Sequence, residues 1–246
     1  AAILCCPKNA RVLIPKGTYP VTALFLKSDM ILELQENAVL AGIYDRARTP
    51  ILPGQIEYDN EDGYYNLGSW EGNPIDSFAS MITGIYVKNV TICGKGVLDG
   101  RADFENWWSR PKDKIRAWRP RMIFLNHCEN ITVVGVTVQN SPAWNLHPYF
   151  SNQIRFLDME VKGPANSHNT DGCDPESCTN VEIAGVHFSV GDDCIAIKSG
   201  KIYMGKKFKV PSKHIHIRQS WMQDGHGAVT VGSEIAAGVD DIHISK

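Results

Sequence analysis

A short pattern of one polar residue followed by alternating apolar residues recurs along the chain. It runs polar, apolar, any residue, apolar, and its copies begin at Asp29, Asn89, Asn130, Gln153, Asn180, His214 and Asp241. After several copies a second alternating run follows, as at residues 135–138 and 185–188. Alternation with a period of two predicts β-strands that bury one face.

The spacing of the copies indicates the fold. From Asn130 onward they are 23, 27, 34 and 27 residues apart, which is too short for a full helical crossover each time. Such intervals suit one coil of a parallel β-helix, built from several short strands. An antiparallel sandwich would need hairpin turns such as Asn-Gly, and the chain has no Asn-Gly pair. We predict an all-β chain, folded as one parallel β-helix domain over residues 1–246, with an extended loop at residues 46–70.

Three short motifs within residues 169–227 place an aspartate or a histidine next to a glycine. They are Asn-Thr-Asp-Gly at 169–172, Gly-Asp-Asp-Cys at 191–194 and Asp-Gly-His-Gly at 224–227. Asp171 and Asp193 are 22 residues apart, and His226 follows Asp193 by 33 residues. Because equivalent positions on successive coils stack about 4.8 Å apart, we expect Asp171, Asp192, Asp193 and His226 to meet in one cleft.

Carboxyl groups this close together influence one another's protonation. They cannot all ionise freely, because like charges raise the pKa of at least one of them. A protonated carboxyl is an acid and an ionised one is a base, and acid and base on either side of a glycosidic bond perform inverting hydrolysis. Each motif taken alone is typical of an ordinary turn, whereas all of them in order, about one coil apart, indicate an active site.

Together these motifs resemble the polygalacturonases of glycoside hydrolase family 28, in the bacterial and plant-type branch. Residues 171–177, 194–200 and 14–19 are also similar to that branch. The resemblance implies a single-stranded, right-handed parallel β-helix of the pectin-lyase-like type, and the usual hand of parallel crossovers agrees. It further implies a hydrolase without a cofactor that cleaves α-1,4-galacturonosidic bonds in polygalacturonate, pectin or oligogalacturonides.

The resemblance also implies roles for individual residues. Asp192 would be the general acid, while Asp171 and Asp193 would hold and activate the water. His226 would sustain the protonation or orientation of the acid, and Asn169 would support the site by hydrogen bonding. The family's later Arg-x-Lys motif, which grips the substrate carboxylate, is absent from residues 228–246. The chain also opens on Ala1 without an initiator methionine. We therefore expect it to be truncated at both ends and to lack its C-terminal coils.

Two basic segments suggest a polyanionic substrate. Residues 198–213 carry six lysines and no acid, and residues 110–121 carry six basic residues against Asp113. Positive loops beside an acidic centre would bind and steer sugar carboxylates. Lys198, five residues after Asp193, is the first candidate for substrate contact. His147 is the second, because it precedes Asp171 by 24 residues, about one coil.

Charge and composition exclude some classes of function, and two alternatives stay open. A net charge of −2 argues against a general nucleic-acid binder, and no apolar run approaches the roughly 18 residues of a membrane span. The seven cysteines follow no standard zinc spacing, so we predict no metal site. The alternatives are a β-helix polysaccharide lyase, which would commonly need Ca²⁺ and an Arg or Lys base, and a non-catalytic carbohydrate-binding β-helix.

Overall fold

A computed structural model describes residues 1–57 and 64–246 of the chain. The elements before residue 58 are α1 (Ala2–Cys5), β1 (Ala10–Ile14), β2 (Gly17–Val21), β3 (Leu24–Phe25), β4 (Met30–Leu34), β5 (Ala38–Gly42), β6 (Ile51–Leu52) and β7 (Ile56–Glu57). Those from residue 64 to 149 are β8 (Tyr64–Tyr65), β9 (Ser69–Trp70), β10 (Asn73–Pro74), β11 (Ser77–Phe78), β12 (Ile82–Ile85), β13 (Lys88–Gly94), β14 (Val97–Asp99), β15 (Ile123–Asn126), β16 (Glu129–Val134), β17 (Thr137–Gln139) and β18 (Leu146–Tyr149). The remaining ones are β19 (Asn152–Leu157), β20 (Glu160–Lys162), β21 (Thr179–Ala184), β22 (His187–Ser189), β23 (Ile195–Ile197), α2 (Ile202–Phe208), β24 (Ser212–Arg218), β25 (Trp221–Asp224), β26 (Val229–Val231) and β27 (Val239–Ser245).

Parallel sheets form the three faces of the molecule. The eight-stranded sheet has the order β1-β4-β13-β16-β19-β21-β24-β27, and the seven-stranded sheet has the order β2-β5-β14-β17-β20-β22-β25. The third face consists of β3-β12-β15-β18, continued by β23-β26 through a bridge at Cys173. Within each face a strand pairs with the strand one coil further along the chain. The chain is thus a right-handed parallel β-helix, and this confirms the predicted fold class.

All seven copies of the repeated pattern lie at the strands of the eight-stranded sheet. Their second apolar positions stack into one interior column. Five residues of this column are fully buried, namely Leu32, Ile92, Val133, Phe156 and Ile183. Complete burial of such a side chain contributes about 1.5–3 kcal/mol. The column explains why the apolar pattern repeats once per coil.

The polar residue that opens each copy has a separate structural reason. In all seven copies its φ lies between 53° and 58°, in the left-handed region. Asn and Asp adopt this conformation more readily than most residues with side chains. The side chains also bond between coils, since Asn130 Nδ2 donates to Asn89 Oδ1 at 2.9 Å. The polar position therefore marks a bend just before a strand or within its first three residues.

The segment predicted as an extended loop is more ordered than expected in its described part. Of residues 46–70, those numbered 58–63 lie outside the described residues, and the remainder include the two-residue strands β6, β7, β8 and β9. Strands this short leave no alternating pattern in the sequence. At the end of this segment Trp70 stacks on Trp144 with 4.9 Å between ring centroids, so the segment covers the outer surface of the third face. In the described part of the chain, no helix has the length and apolarity needed to span a membrane.

Candidate active site

Strand register brings the three motifs together at the entry to the third face. The backbone N–H of Gly172 donates to the carbonyl of Asp193 at 2.9 Å, and the N–H of Cys194 donates to the carbonyl of Gly227 at 2.8 Å. Asp171, Asp193 and Gly227 thereby occupy equivalent places on three successive coils. The interval of 22 residues between the two aspartates is one coil without an insertion. The longer interval that follows contains helix α2.

Three carboxyl groups and one imidazole converge at this point. Oxygens of Asp171, Asp192 and Asp193 lie within 4.8 Å of one another. Asp171 is 5% exposed, whereas the other two aspartates are half-buried. Nδ1 of His226 lies 3.2 Å from Oδ1 of Asp192, and the histidine side chain is 70% exposed. The structure therefore places the four predicted catalytic candidates in one cleft, with Asp171 at its inner side.

The glycine that follows His226 has a steric reason, which the surroundings of Gly227 show. A Cβ atom on Gly227 would lie 2.4 Å from Oγ1 of Thr230 and 2.8 Å from Oδ1 of Asp193. Contacts this short would displace the carboxyl group of Asp193. Only glycine at residue 227 leaves the three carboxyls in their present arrangement.

Burial sets the protonation of Asp171. The pKa of Asp171 rises from 3.8 to about 7, chiefly because burial removes the carboxyl group from water; within this net value Lys198 lowers the pKa, while Asp192 and Asp193 raise it. An ionised carboxylate at this position therefore needs compensating contacts. The same three carboxyls could share a cation by their spacing, although acidic groups often have such spacing without an ion.

A buried arginine from the basic segment at residues 110–121 binds the side chain of Asn169. The sequence predicts no specific role for this arginine. Arg119, which is 1% exposed, donates from Nη2 to Oδ1 of Asn169 at 2.7 Å. Its Nη1 donates to the carbonyls of Pro142 at 2.7 Å and His168 at 2.8 Å. Asn169 itself has a left-handed φ of 54°. Arg119 thus fixes the turn that carries Asp171 by binding two carbonyls and one side chain at once.

Lys198 lies beneath the cleft and not at its surface. It is 4% exposed, and its Nζ is 2.7 Å from Oε2 of Glu234, 3.6 Å from Oδ1 of Asp174 and 4.7 Å from the ring centroid of Trp144. Burial would lower the pKa of Lys198, but Asp174, Asp171 and Glu234 together raise it above its ordinary value. The predicted substrate contact is therefore a buried cation that acts on the cleft from behind Asp171.

His147 is also internal. It is 0% exposed, and its Nε2 lies 3.0 Å from Oε2 of Glu176. Burial lowers the pKa of His147 well below its usual value, and the nearby Arg121 and Lys198 lower it further. Burial also raises the pKa of Glu176 to about 7. The structure places His147 in this buried polar layer, and does not bring it to the four residues of the cleft.

The predicted basic segments divide into buried and exposed parts. Arg121 is 2% exposed and lies between aromatic rings, with its Cζ 5.4 Å from the Trp70 centroid and 5.3 Å from that of Trp144. Lys112, Lys114, Lys206 and Lys209 are exposed. Three cysteines near this region, Cys173, Cys178 and Cys194, pack in the hydrophobic core.

A family comparison agrees with this arrangement of residues. The model of glycosyl hydrolases family 28 matches residues 51–246, which is most of the chain and includes all three motifs. This chain belongs to glycosyl hydrolase family 28. The resemblance inferred from the motifs is thereby confirmed.

Named relatives of this family 28 chain come from plants and bacteria. A "Probable polygalacturonase" from Vitis vinifera is 31% identical over 237 residues, covering 95% of this chain and 46% of that protein. An endo-polygalacturonase from Pectobacterium carotovorum subsp. carotovorum is 32% identical over 189 residues, covering 72% of this chain and 44% of the relative. The crystal structure of a hyperthermoactive exopolygalacturonase from Thermotoga maritima superposes with a TM-score of 0.80 at 27% identity, over 95% of this chain and 57% of that one. This chain spans about half the length of these proteins.

Proposed function

We propose that this chain carries the catalytic centre of a glycoside hydrolase that cleaves α-1,4-galacturonosidic bonds in polygalacturonate, pectin or oligogalacturonides. The observation that carries the proposal is the convergence of Asp171, Asp192 and Asp193 within 4.8 Å, with His226 against Asp192. The names of the relatives support the substrate, since they are polygalacturonases. The exposed lysines of the two basic segments would attract a polyanionic sugar.

Asp192 is the general acid in this proposal. Its half-exposed carboxyl faces the cleft, and His226 at 3.2 Å orients the oxygen that carries the proton. Asp171, with a pKa raised to about 7, also has the protonation expected of an acid. Position takes precedence, because a proton donor must lie within hydrogen-bond reach of the leaving oxygen, and Asp171 is only 5% exposed.

Asp171 and Asp193 hold the attacking water. A water that makes hydrogen bonds of about 2.8 Å to two oxygens, at a roughly tetrahedral angle, spans about 4.6 Å between them. The spacing of the carboxyl oxygens, within 4.8 Å, accepts such a water. As the water oxygen bonds to the anomeric carbon, its proton passes to this pair, while the proton of Asp192 goes to the leaving sugar oxygen.

This division of roles predicts inversion at the anomeric carbon. Two-carboxylate inverting sites have the carboxyls roughly 6.5–9.5 Å apart and retaining sites roughly 5–5.5 Å apart. The nearest oxygens here are closer than either value, so the inference of inversion rests on the third carboxylate. A nucleophilic mechanism needs one acid and one nucleophile, whereas two carboxylates sharing a water leave the third as the acid.

The test combines product and leaving-group analysis on the full-length protein. We expect reducing sugar from polygalacturonate, little from fully methyl-esterified pectin, and a first-formed product of inverted configuration by NMR. Asp192→Asn should lower kcat by about 10²-fold or more and should recover on an oligogalacturonide that carries a nitrophenyl leaving group. Asp171→Asn should not recover, and Asp240→Asn, an exposed control, should leave activity unchanged. An unsaturated product absorbing in the ultraviolet would assign a lyase instead, and retained configuration would make one aspartate a nucleophile.

A further inference from the structure

Asp174 is a fully buried carboxyl group beneath the cleft. It follows Asp171 by three residues and is 0% exposed. Within residues 1–57 and 64–246, no N–H or O–H group of another residue donates a hydrogen bond to either of its oxygens. A buried carboxylate normally accepts several such bonds, because an ion removed from water without them is strongly destabilised. This environment disfavours a negative charge on Asp174.

The nearby cation is shared, and it lies closer to Glu234 than to Asp174. Nζ of Lys198 lies 3.6 Å from Oδ1 of Asp174 but 2.7 Å from Oε2 of Glu234. The ammonium also lies over the ring of Trp144, at 4.7 Å from its centroid. One positive charge is thus already neutralised by Glu234 at shorter distance. An ionised Asp174 would place a further negative charge next to the carboxylates of both Glu234 and Asp171.

A protonated Asp174 fits the same surroundings. A neutral carboxyl group has an O–H to donate, and the side chain of Asp171 lies within hydrogen-bonding contact of Asp174. The charged groups that face Asp174 are Asp171, Lys198 and Glu234, and Arg121 lies further along the same buried layer. Burial raises the pKa of Asp174 well above its usual value, and the Asp171 carboxyl raises it further. Geometry and electrostatics therefore agree on the neutral form.

We propose that Asp174 is a positioning residue that remains protonated and donates its O–H to the carboxylate of Asp171. The proposal rests on the proposed function in one respect, namely that Asp171 must be ionised to hold the attacking water. A donor on one carboxylate oxygen favours the ionised form and leaves the other oxygen free for the water. The buried pair then loses one proton from Asp171 and keeps the other on Asp174.

Two substitutions separate this role from that of a counter-ion. Asp174→Asn retains the shape and an N–H donor but cannot ionise, so kcat should stay within about threefold of wild type. Asp174→Ala removes the donor, and kcat should fall by about 10- to 100-fold with little change in KM, because a hydrogen bond to a charged group is lost. The acid limb of the kcat–pH profile should also move to higher pH in Asp174→Ala and stay in place in Asp174→Asn. If Asp174 is instead an ionised partner of Lys198, the asparagine variant will lose as much activity as the alanine variant, which would overturn the proposal.

A spectroscopic measurement tests the protonation state without relying on catalysis. Difference infrared spectra of wild type and Asp174→Asn at pH 8 should show that the wild type has a protonated-carboxyl band which the variant lacks. Absence of that band refutes the proposal even if Asp174→Ala fails to fold. If the wild-type protein shows the band but no activity on polygalacturonate, the proposed substrate is wrong and the assignment of Asp174 stands.

Discussion

Replacing Asp171 with asparagine should stabilise the protein at alkaline pH while removing its activity. Burial raises the pKa of Asp171 from 3.8 to about 7 in the folded state. Below pH 3.8 both the folded and unfolded states are protonated, and the side chain costs nothing. As pH rises from 3.8 to about 7, the unfolded state loses its proton first, so the free energy of unfolding falls. Above about pH 7 the ionised, buried carboxylate lowers the free energy of unfolding by its full amount.

The size of this cost follows from the shift. A difference of about 3 pKa units corresponds to about 4 kcal/mol, at 1.36 kcal/mol per unit. Asparagine has nearly the same shape and cannot ionise, so Asp171→Asn should regain up to about 4 kcal/mol at pH 8. For a chain of this size one kcal/mol moves the melting temperature by about 2 °C, which gives an increase of about 8 °C. At pH 4 the variant and the wild type should unfold at nearly the same temperature.

The assay measures unfolding in urea and on heating at pH 4, 6 and 8, with tryptophan fluorescence as the probe. Refolding from urea should be checked, since a β-helix need not unfold in a single step. Asp240→Asn is the matched control, because Asp240 is exposed and lies outside the cleft. Equal or lower stability of Asp171→Asn at pH 8, or a gain that is the same at pH 4, would show that the carboxylate is not strained by burial.

Three further predictions follow from the same geometry. Activity should fall as pH drops through about 7, because Asp171 gains its proton there; an acid limb below pH 5 in a kcat–pH profile would contradict its role as a base. Lys198→Met should lower the free energy of unfolding by about 3–5 kcal/mol, since it leaves Glu234 buried without its cation; adding Glu234→Gln should restore part of the loss in urea titrations. Activity should survive dialysis against EDTA, because Lys198 already provides a positive charge behind the carboxyls; loss of activity with recovery on adding Ca²⁺ would instead indicate a metal-dependent centre.

The sequence predicts the cleft well because register is periodic. Strands of one coil pair with those of the next, so the interval between Asp171 and Asp193 places them side by side without knowledge of any loop. The polar residue at the start of each repeat and the apolar column behind it follow from the same regularity. The family motifs then predict which of the stacked positions would carry chemistry.

The buried layer beneath the cleft is not predicted, and the reason is physical. Alternation distinguishes side chains that point into the coil from those that point out, and Lys198 and His147 belong to the outward set. Outward side chains are normally exposed, but here Trp70 and its neighbours cover them from a distant part of the chain. The alternation of apolar and polar residues along a strand cannot show that a distant segment buries its outward side chains. The spacing of two between Asp174 and Glu176 was the available signal, because it puts two acids on one covered face.

The buried layer also explains how similar side chains take different roles. Asp192 is half-exposed beside an exposed imidazole, while Asp171 is almost fully buried. Environment commonly separates two carboxyls in this way, and the buried one would ordinarily stay protonated and serve as the acid. Lys198 behind Asp171 and the proposed donor on Asp174 act against that tendency, since both favour the ionised form. In the proposed function, the cost of burying these groups is coupled to catalysis, because the layer would keep Asp171 ionised where it can hold the attacking water. Replacing Lys198 and its buried acidic partners together by apolar residues, unlike Lys198→Met alone, should make a more stable protein with a weaker base, a trade-off common at active sites.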